Sequence, residues 1–218
     1  MADAEHKRTE GAEPLLHPGT ASLRAPSTTV RRKLSPAQAE KRGRVVSAAL
    51  FLSGRVPYEE FNTRDIAKRA GVALGTVYRH FGSKDHLVAE ALLEWSAEFE
   101  AELEARPIEG ETTAARILDL VERMGKRSAR EPLRNEALRR AILSSDPSVD
   151  EARRAHLIAT RAWFAQAVGH EHGEDRERLI ETIEYVYLGA FMVSFASETD
   201  SRFVDRLRRT VAFVTRDS

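Results

Sequence analysis

Between Asp65 and Leu87, apolar residues recur at the three- and four-residue spacing of helices that bury one face. The pattern falls into two short segments on either side of Gly71, and the second segment ends at Phe81. A turn that contains glycine between two short helices, the second with a polar outer face, is typical of a DNA-binding helix-turn-helix. The outer face of the second segment holds small, hydroxyl-bearing or cationic side chains: Gly75, Thr76, Tyr78, Arg79 and His80.

Helical periodicity also predicts the elements on either side of this segment. Ser35 and Pro36 suit the start of a first helix, Asn62 with Asp65 suits the start of the second, and Ser83 suits the start of the fourth. The third helix is predicted near residues 74–81 and the fourth extends to about residue 106; later helical patterns cover residues 112–129, 132–144, 148–168, 175–197 and 200–215. No alternating pattern longer than a few residues indicates a strand, so the predicted fold is all-α.

The first 34 residues differ from the rest of the chain. They are rich in Pro, Ser and Thr and have little periodic apolar pattern, which predicts a disordered tail over residues 1–34. The tail ends in three cations, Arg31, Arg32 and Lys33. These are either a solvated charge run or a basic arm that contacts DNA beside the folded domain.

The composition of the chain indicates which kind of partner it binds and in which cellular compartment it is expected. The chain has 34 Lys and Arg and 34 Asp and Glu, but residues 31–90 hold 12 cations against 6 anions, while residues 91–218 hold 19 against 24. Such asymmetry is expected when one part of a chain meets phosphate. The chain has no cysteine, no apolar run of roughly 20 residues and no apolar signal core at its start. We therefore expect a soluble, cytoplasmic protein that makes no contact with a membrane.

Three runs carry a resemblance to a known family. RDIAKRAGV over residues 64–72, GTVYRHF over residues 75–81 and SKDHL over residues 83–87 resemble the TetR family of bacterial repressors. The resemblance implies an N-terminal three-helix helix-turn-helix domain, residues 35–82, that binds double-stranded DNA. It also implies a C-terminal helical domain, residues 83–218, that binds a small molecule and forms a homodimer.

The same resemblance assigns roles within the predicted DNA-binding surface. Tyr78, His80 and Lys84 would bind backbone phosphates, while Ala73 begins the tip of the recognition helix. A leucine at position 74 departs from hydrogen-bonded readout and would contact a thymine methyl group or simply pack. The residues expected at the major groove are Thr63, Arg64, Leu74, Gly75, Thr76 and Arg79.

The last two predicted helices are apolar on more than one side, so each must bury two faces. One face can meet the chain's own core and the other a second copy, and the resemblance implies that these helices pair with their symmetry mates. The alternative is a monomer core. The residues expected in the interface are Tyr187, Phe191, Phe195, Phe203, Leu207 and Val211.

Large apolar side chains elsewhere in the C-terminal region either fill the core or line a ligand cavity between helices. The residues expected at such a cavity are Trp95, Phe99, Met124, Trp163, Phe164, Tyr185 and Met192. His170, Glu171 and His172 offer potential metal ligands, but two histidines in one glycine-bounded loop are poor evidence for a site. We predict neither a metal nor a cofactor, and no motif of an enzyme is present.

The segment from Pro132 to Leu138, followed by Ala141, resembles actinobacterial repressors of steroid catabolism, which respond to acyl-CoA forms of steroid acids. The sequence therefore predicts a ligand-responsive regulator, a repressor released from a palindromic operator by a small apolar effector. The alternative is a DNA-binding activator or architectural protein that binds no ligand.

Overall fold

The structure is a computed structural model that describes residues 34–193, 205, 208–213 and 215. The predicted tail with its three terminal cations lies outside the described residues, as do Phe195, Phe203 and Leu207. The backbone of Phe191 and Met192 is helical, and their side chains also lie outside the description.

Eight helices follow one another along residues 34–193. They are α1 Pro36–Ser53, α2 Thr63–Ala70, α3 Leu74–His80, α4 Lys84–Ala105, α5 Thr113–Arg130, α6 Pro132–Ile142, α7 Asp150–Val168 and α8 Arg176–Val193. Short 3-10 turns at Pro147–Val149 and Gly173–Asp175 precede α7 and α8, and residues 208–213 are again helical. Over the residues described there is no strand, which confirms the all-α prediction. None of these helices is both long enough and apolar enough to cross a membrane.

The predicted helix starts are present. The Asn62 side chain accepts a hydrogen bond from the Asp65 backbone N–H at 3.0 Å, and the Asp65 carboxylate accepts one from the Asn62 amide. The Ser83 hydroxyl accepts from the His86 backbone N–H at 3.0 Å and so caps α4. Each cap satisfies an N–H that the first turn of a helix leaves without a partner.

The turn between α2 and α3 depends on Gly71, which has the left-handed backbone angles φ 65° and ψ 39°. This conformation lets the Val72 N–H reach the Ala67 carbonyl at 3.0 Å, closing the end of α2. A β-carbon disfavours left-handed angles, so glycine is the residue that suits this position. The turn sets the angle at which α3 leaves α2.

Among the described residues, buried side chains form two cores. In the N-terminal core, α1, α2, α3 and the start of α4 surround Ile66, Val77 and Phe81. In the C-terminal core, the second half of α4 packs with α5, α7 and α8 around Phe99 and Phe164. Because α4 runs through both cores, it connects the helix-turn-helix directly to the rest of the chain.

Helix α6 belongs mainly to the N-terminal core, although it lies within the segment predicted as the ligand-binding domain. Its buried residues Ala137, Leu138, Ala141 and Ile142 pack with α1 and α4. The boundary at residues 82 and 83 stays a prediction, but the core that supports the helix-turn-helix extends beyond it.

Polar contacts also join α6 to the N-terminal helices. Arg140 pairs with Glu59 in the segment between α1 and α2. Just after α6, the Ser144 hydroxyl donates to the carboxylate of Asp85 in the first turn of α4, and the Tyr58 hydroxyl donates to the other oxygen of that carboxylate. We call the Arg140–Glu59 and Ser144–Asp85 contacts the α6 contacts.

Candidate functional site

The outer surface of α2 and α3 brings most of the predicted DNA-binding residues together. Val77 is buried and Phe81 follows it into the core, which turns the remaining positions of α3 outward. A surface groove between the two helices is lined by Asn62, Thr63, Arg64, Asp65, Leu74 and Tyr78. Of the predicted residues, Arg64, Ala73, Gly75, Tyr78 and Arg79 are exposed, whereas Thr63, Leu74, Thr76, His80 and Lys84 are partly buried.

Tyr78 projects from this surface, with 59% of its area exposed. Its hydroxyl lies 2.9 Å from that of Thr63, so one of the two hydroxyls donates to the other. This contact orients the phenol across the groove from α3 to α2. A hydroxyl held in this way can still donate to or accept from a further group.

His80 lies near the end of α3, beside two cations. Burial lowers the pKa of His80 below its usual value, and the charges of Arg42 and Arg79 lower it further. The free protein therefore favours the neutral imidazole at neutral pH. A phosphate placed beside the ring would favour the protonated form instead, because an opposite charge stabilises the imidazolium.

A buried carboxylate fixes the end of α3 against α1 and α4. Glu90 lies 2.6 Å from the Arg42 guanidinium and 3.7 Å from His86 Nε2. Burial acts to raise the pKa of Glu90, but polar interactions with His86 and Arg42 outweigh it and lower the pKa to about 2. His86 Nδ1 accepts from the Gly82 N–H at 3.2 Å, so the imidazole also holds the segment that follows α3.

Lys84 has partners within the chain. Its ammonium donates to the Tyr58 carbonyl at 2.8 Å and lies 3.9 Å from the centre of the Tyr58 ring. Burial lowers the pKa of Lys84, the charge of Glu59 opposes this, and that of Arg140 adds to it. The predicted contact of Lys84 with phosphate remains a prediction, and the structure places the side chain against the α1–α2 segment.

An internal cavity of about 20 Å³ lies where α4, α5, α6, α7 and α8 converge. Of the seven residues predicted to line it, Trp95, Met124 and Trp163 do so. Phe99 and Phe164 fill the C-terminal core instead, and Tyr185 is 66% exposed on the surface of α8. The full lining is Leu92, Trp95, Met124, Ser128, Asn135, Leu138, Ile142, His156, Trp163 and Tyr187.

Several lining residues are polar, and the sequence prediction missed them. His156 Nδ1 lies 3.0 Å from the Ser96 hydroxyl, and burial lowers the pKa of His156 to about 4. Helical spacing contains the missing signal, because His156 lies seven residues before Trp163, and Ser128 lies four residues after Met124. Positions separated by four or seven residues share a helix face.

The chain's own core takes two of the residues predicted to face a partner subunit. Tyr187 packs against Phe164, with ring centres 5.4 Å apart, and Val211 is buried in the C-terminal core. Burial inside one chain leaves neither side chain available to a second copy, so these two assignments are corrected. Large exposed aromatic side chains occur instead at Tyr185, 66% exposed, and Phe213, 71% exposed.

The loop between α7 and α8 uses its polar side chains structurally. His172 Nε2 lies 2.8 Å from the Thr113 hydroxyl, and Glu171 accepts from Arg116 at 2.7 Å. Arg116 also donates to the Ala167 carbonyl at 2.9 Å, which satisfies the end of α7. The loop is therefore tied to α5 through groups that were candidate metal ligands in the sequence.

Comparisons with known proteins extend these observations. Residues 45–91 match the family described as bacterial regulatory proteins, tetR family. The chain is 33% identical over 174 residues to the HTH-type transcriptional repressor KstR of Mycobacterium tuberculosis, covering 76% of this chain and 77% of the relative. It is 31% identical over 210 residues to KstR of Rhodococcus jostii, a match that covers 91% of this chain and 97% of the relative.

Solved structures show the same fold at lower identity. A TetR transcriptional regulator from Rhodococcus sp. RHA1 superposes with a TM-score of 0.70 at 21% identity, covering 83% of this chain and 98% of that one. The regulator FadR from Bacillus subtilis, solved in complex with stearoyl-CoA, superposes with a TM-score of 0.56 at 15% identity. The match covers 78% of this chain and 96% of that one.

The fold and the surface of α2 and α3 define a DNA-binding transcriptional regulator of the helix-turn-helix class, not an enzyme. The chain belongs to the tetR family of bacterial regulatory proteins.

Proposed function

We propose that the chain is a ligand-responsive repressor that binds a palindromic operator in double-stranded DNA as a homodimer and is released by a small apolar effector. Its relatives in Mycobacterium and Rhodococcus are named as repressors, which supports this direction of regulation. For the effector we propose an acyl-CoA or a steroid-derived acid. The stearoyl-CoA held by a regulator of similar fold supports the acyl-CoA alternative.

The exposed face of α3 would enter the major groove, with one recognition helix from each subunit in successive grooves about 34 Å apart. Arg79 is exposed and can contact a guanine edge with two hydrogen bonds. Tyr78, His80 and Lys84 would contact phosphates beside the groove. These phosphate contacts would position the helix without selecting a sequence.

One observation carries the proposed ligand response. Leu92, Leu138 and Ile142 line the cavity and are also members of the N-terminal core. A ligand much larger than 20 Å³ must displace such residues and thereby move α6 against α1 and α4. The effector would then favour a state in which the two recognition helices no longer match the operator, acting only through its differential affinity for the two states.

A second candidate, a DNA-binding activator or architectural protein without a ligand, is favoured by the size of the cavity. A volume of about 20 Å³ is close to that needed by one water molecule, so the core is nearly filled. The polar lining argues in the other direction, because a core that only fills space rarely carries so many hydrogen-bonding groups.

The DNA-binding part of the proposal is tested with duplexes selected from a random pool. We expect Tyr78→Phe to weaken binding to every duplex alike, because it removes a phosphate contact. We expect Arg79→Ala to relax preference at one position, at a cost of about 1–3 kcal/mol there. Ile158→Ala, which shortens another exposed side chain, on α7 and outside α2 and α3, is the control. Unchanged affinity in both test variants would contradict the assignment of α3.

The ligand response is tested on the same selected duplex. A panel of apolar acids and CoA thioesters is screened by thermal shift, and operator affinity is measured beside it. A compound that raises the melting temperature and releases the duplex supports the repressor. Compounds that bind without changing operator affinity, or a panel in which none binds, would favour the ligand-independent alternative.

A further inference from the structure

Two residues that line the cavity carry hydrogen-bond donors that have no acceptor in the described part of the chain. The chain has two tryptophans, Trp95 and Trp163, and both line the cavity. The indole nitrogen of each is buried, and within the described part of the chain neither has a hydrogen-bond partner. Buried donors are paired in the great majority of proteins, so two together in one cavity call for a physical reason.

Ring contacts hold the two indoles in place. Trp163 meets Phe99 edge-on, with ring centres 4.9 Å apart, and His156 at 6.4 Å. The guanidinium of Arg127 stacks over Trp95, 4.7 Å from the ring centre. Packing therefore fixes both indoles at the cavity wall without using either N–H, and the donors stay available to a group that enters.

The cavity wall carries no formal charge at neutral pH. Its described lining contains no Asp, Glu, Lys or Arg, and burial lowers the pKa of His156 to about 4, which keeps that ring neutral. The neighbouring cation, Arg127, is engaged by Glu98 at 2.7 Å and by Glu102. A buried carboxylate would find no opposite charge on this wall, which is costly in an apolar site.

We infer that the effector buries a neutral carbonyl or hydroxyl oxygen that accepts hydrogen bonds from the indole N–H groups of Trp95 and Trp163. An acid group or thioester, where the effector has one, lies at its other end, away from the cavity wall. A plain hydrocarbon end would leave both donors buried and unpaired, so the cavity selects against it. This inference rests on the proposed function, in which the cavity holds the effector.

Matched probes test this selection. One pair is androstane and androstanone, and the other is stearic acid and a mid-chain oxostearic acid; within each pair the oxygen is the main difference. Binding is followed by tryptophan fluorescence, which reports on the cavity alone because both tryptophans line it. We expect the oxygenated member of at least one pair to bind about tenfold more tightly, since it satisfies donors that the other leaves unpaired.

Variants then locate the preference. Trp95→Phe and Trp163→Phe keep an aromatic ring and remove the N–H, and each leaves one tryptophan as reporter. We expect them to lower affinity for the oxygenated probe and to leave affinity for its hydrocarbon partner unchanged or higher. The double variant, followed by calorimetry, should bind both members equally. Ile158→Ala, exposed on α7 and absent from the cavity lining, is the control, and its preference should equal that of the parent chain.

The outcomes separate this inference from the proposed function. Equal binding of both members of each pair by the parent chain, or a preference that survives in the folded double variant, overturns the inference and leaves the cavity as a ligand site. A double variant that melts early is replaced by the two single variants, whose preferences must then both fall. Failure of all four probes to bind overturns the inference. If the thermal-shift panel of apolar acids and CoA thioesters also contains no binder, the proposed ligand response is overturned with it.

Discussion

At Gly71 the backbone conformation alone determines which residue the turn tolerates. A β-carbon there would meet no atom within 4 Å, so space is available, but φ is +65°. We expect Gly71→Ala to destabilise the chain by about 1 kcal/mol, because an L side chain disfavours the left-handed region.

Gly43, in the middle of α1, is the matched control: its β-carbon would also meet nothing within 4 Å, and its φ is not positive. Gly43→Ala should stabilise α1 by up to ~1 kcal/mol, since alanine has the higher helix propensity. Chemical denaturation of both variants measures the difference. Equal effects of the two substitutions would show that the turn does not depend on its left-handed residue.

His156 gives the folded state a dependence on pH. Burial lowers its pKa from 6.5 to about 4, so between these values the unfolded chain binds a proton that the folded chain does not. Stability should therefore be fully present above the unfolded pKa and should fall as the pH drops toward 4, by on the order of 3 kcal/mol.

Denaturation of His156→Gln over the same pH range checks this expectation, and the fall should be much shallower in the variant. His170→Gln, in the loop between α7 and α8, should retain the full dependence. A separate loss between pH 4.5 and about 2 should persist in both, because Glu90 takes up a proton below pH 4.5 in the unfolded chain but stays ionised down to about pH 2 in the folded chain. An identical profile for the parent chain and His156→Gln would contradict the assignment.

At the scale of elements, local signals in the sequence were sufficient for the helices of the N-terminal domain. Asn62 and Ser83 cap the helices that they were predicted to cap, and Gly71 terminates α2. These signals act between residues a few positions apart, so a single sequence contains them. Which side of α8 meets the core depends on distant helices, and Tyr187 and Tyr185 were consequently assigned to the wrong environments.

The same limit explains why α6 was placed only in the ligand domain. Its sequence shows an amphipathic helix, but the contacts that define its role reach Glu59 and Asp85, far away in the chain. Contacts at such separation leave no periodic pattern. The structure was needed to show that one helix belongs both to the cavity wall and to the core beneath the recognition helix.

The α6 contacts should transmit to α4 the movement of α6 that a bound effector would cause. Ser144→Ala removes the hydrogen bond to the Asp85 carboxylate, a contact to a charged group that contributes about 1.5–3 kcal/mol. We expect operator affinity without ligand to change little and the ligand-induced loss of affinity to shrink by roughly tenfold. Androstanone, or any compound found by the thermal-shift screen, serves as ligand.

Ser148→Ala is the matched control for this experiment. Its hydroxyl donates to Asp146 at 2.7 Å within the same connection, but not to α4. The control should keep the full ligand response, which is measured as the ratio of operator affinities with and without ligand. A response that is equally strong in Ser144→Ala would show that the displacement travels through the apolar contacts of α6 alone.

At the scale of the whole molecule, the charge distribution is consistent with the proposal that the N-terminal helices bind DNA and the later helices bind the ligand. The net charge of +6 over residues 31–90 falls in the segment that holds α1 to α3, and residues 91–218 carry a net charge of −5. A cationic face attracts the DNA backbone, and an anionic remainder disfavours other approaches. Operator binding should therefore weaken steeply with salt, and two linked half-sites would double the number of phosphate contacts.

The proposed dimer would bury the exposed aromatic residues of α8 and residues 208–213. Phe213 is 71% exposed and Tyr185 is 66% exposed, whereas their neighbours Val211 and Tyr187 are already used inside the chain. Phe213→Glu and Tyr185→Glu should each place a carboxylate without an opposite charge in the interface, which opposes association. Sedimentation should then show a monomer, and operator affinity should fall because the two half-sites no longer share one rigid partner.

Ile158→Glu provides the comparison, since Ile158 on α7 is similarly exposed, at 64%, and lies outside the proposed interface. It should leave both the sedimentation coefficient and operator affinity unchanged. All three variants are expected to remain folded, because each substituted side chain is largely exposed within its own subunit. If Tyr185→Glu and Phe213→Glu both remain dimeric, the interface lies on another face, and the spacing of the operator half-sites must be derived again from that face.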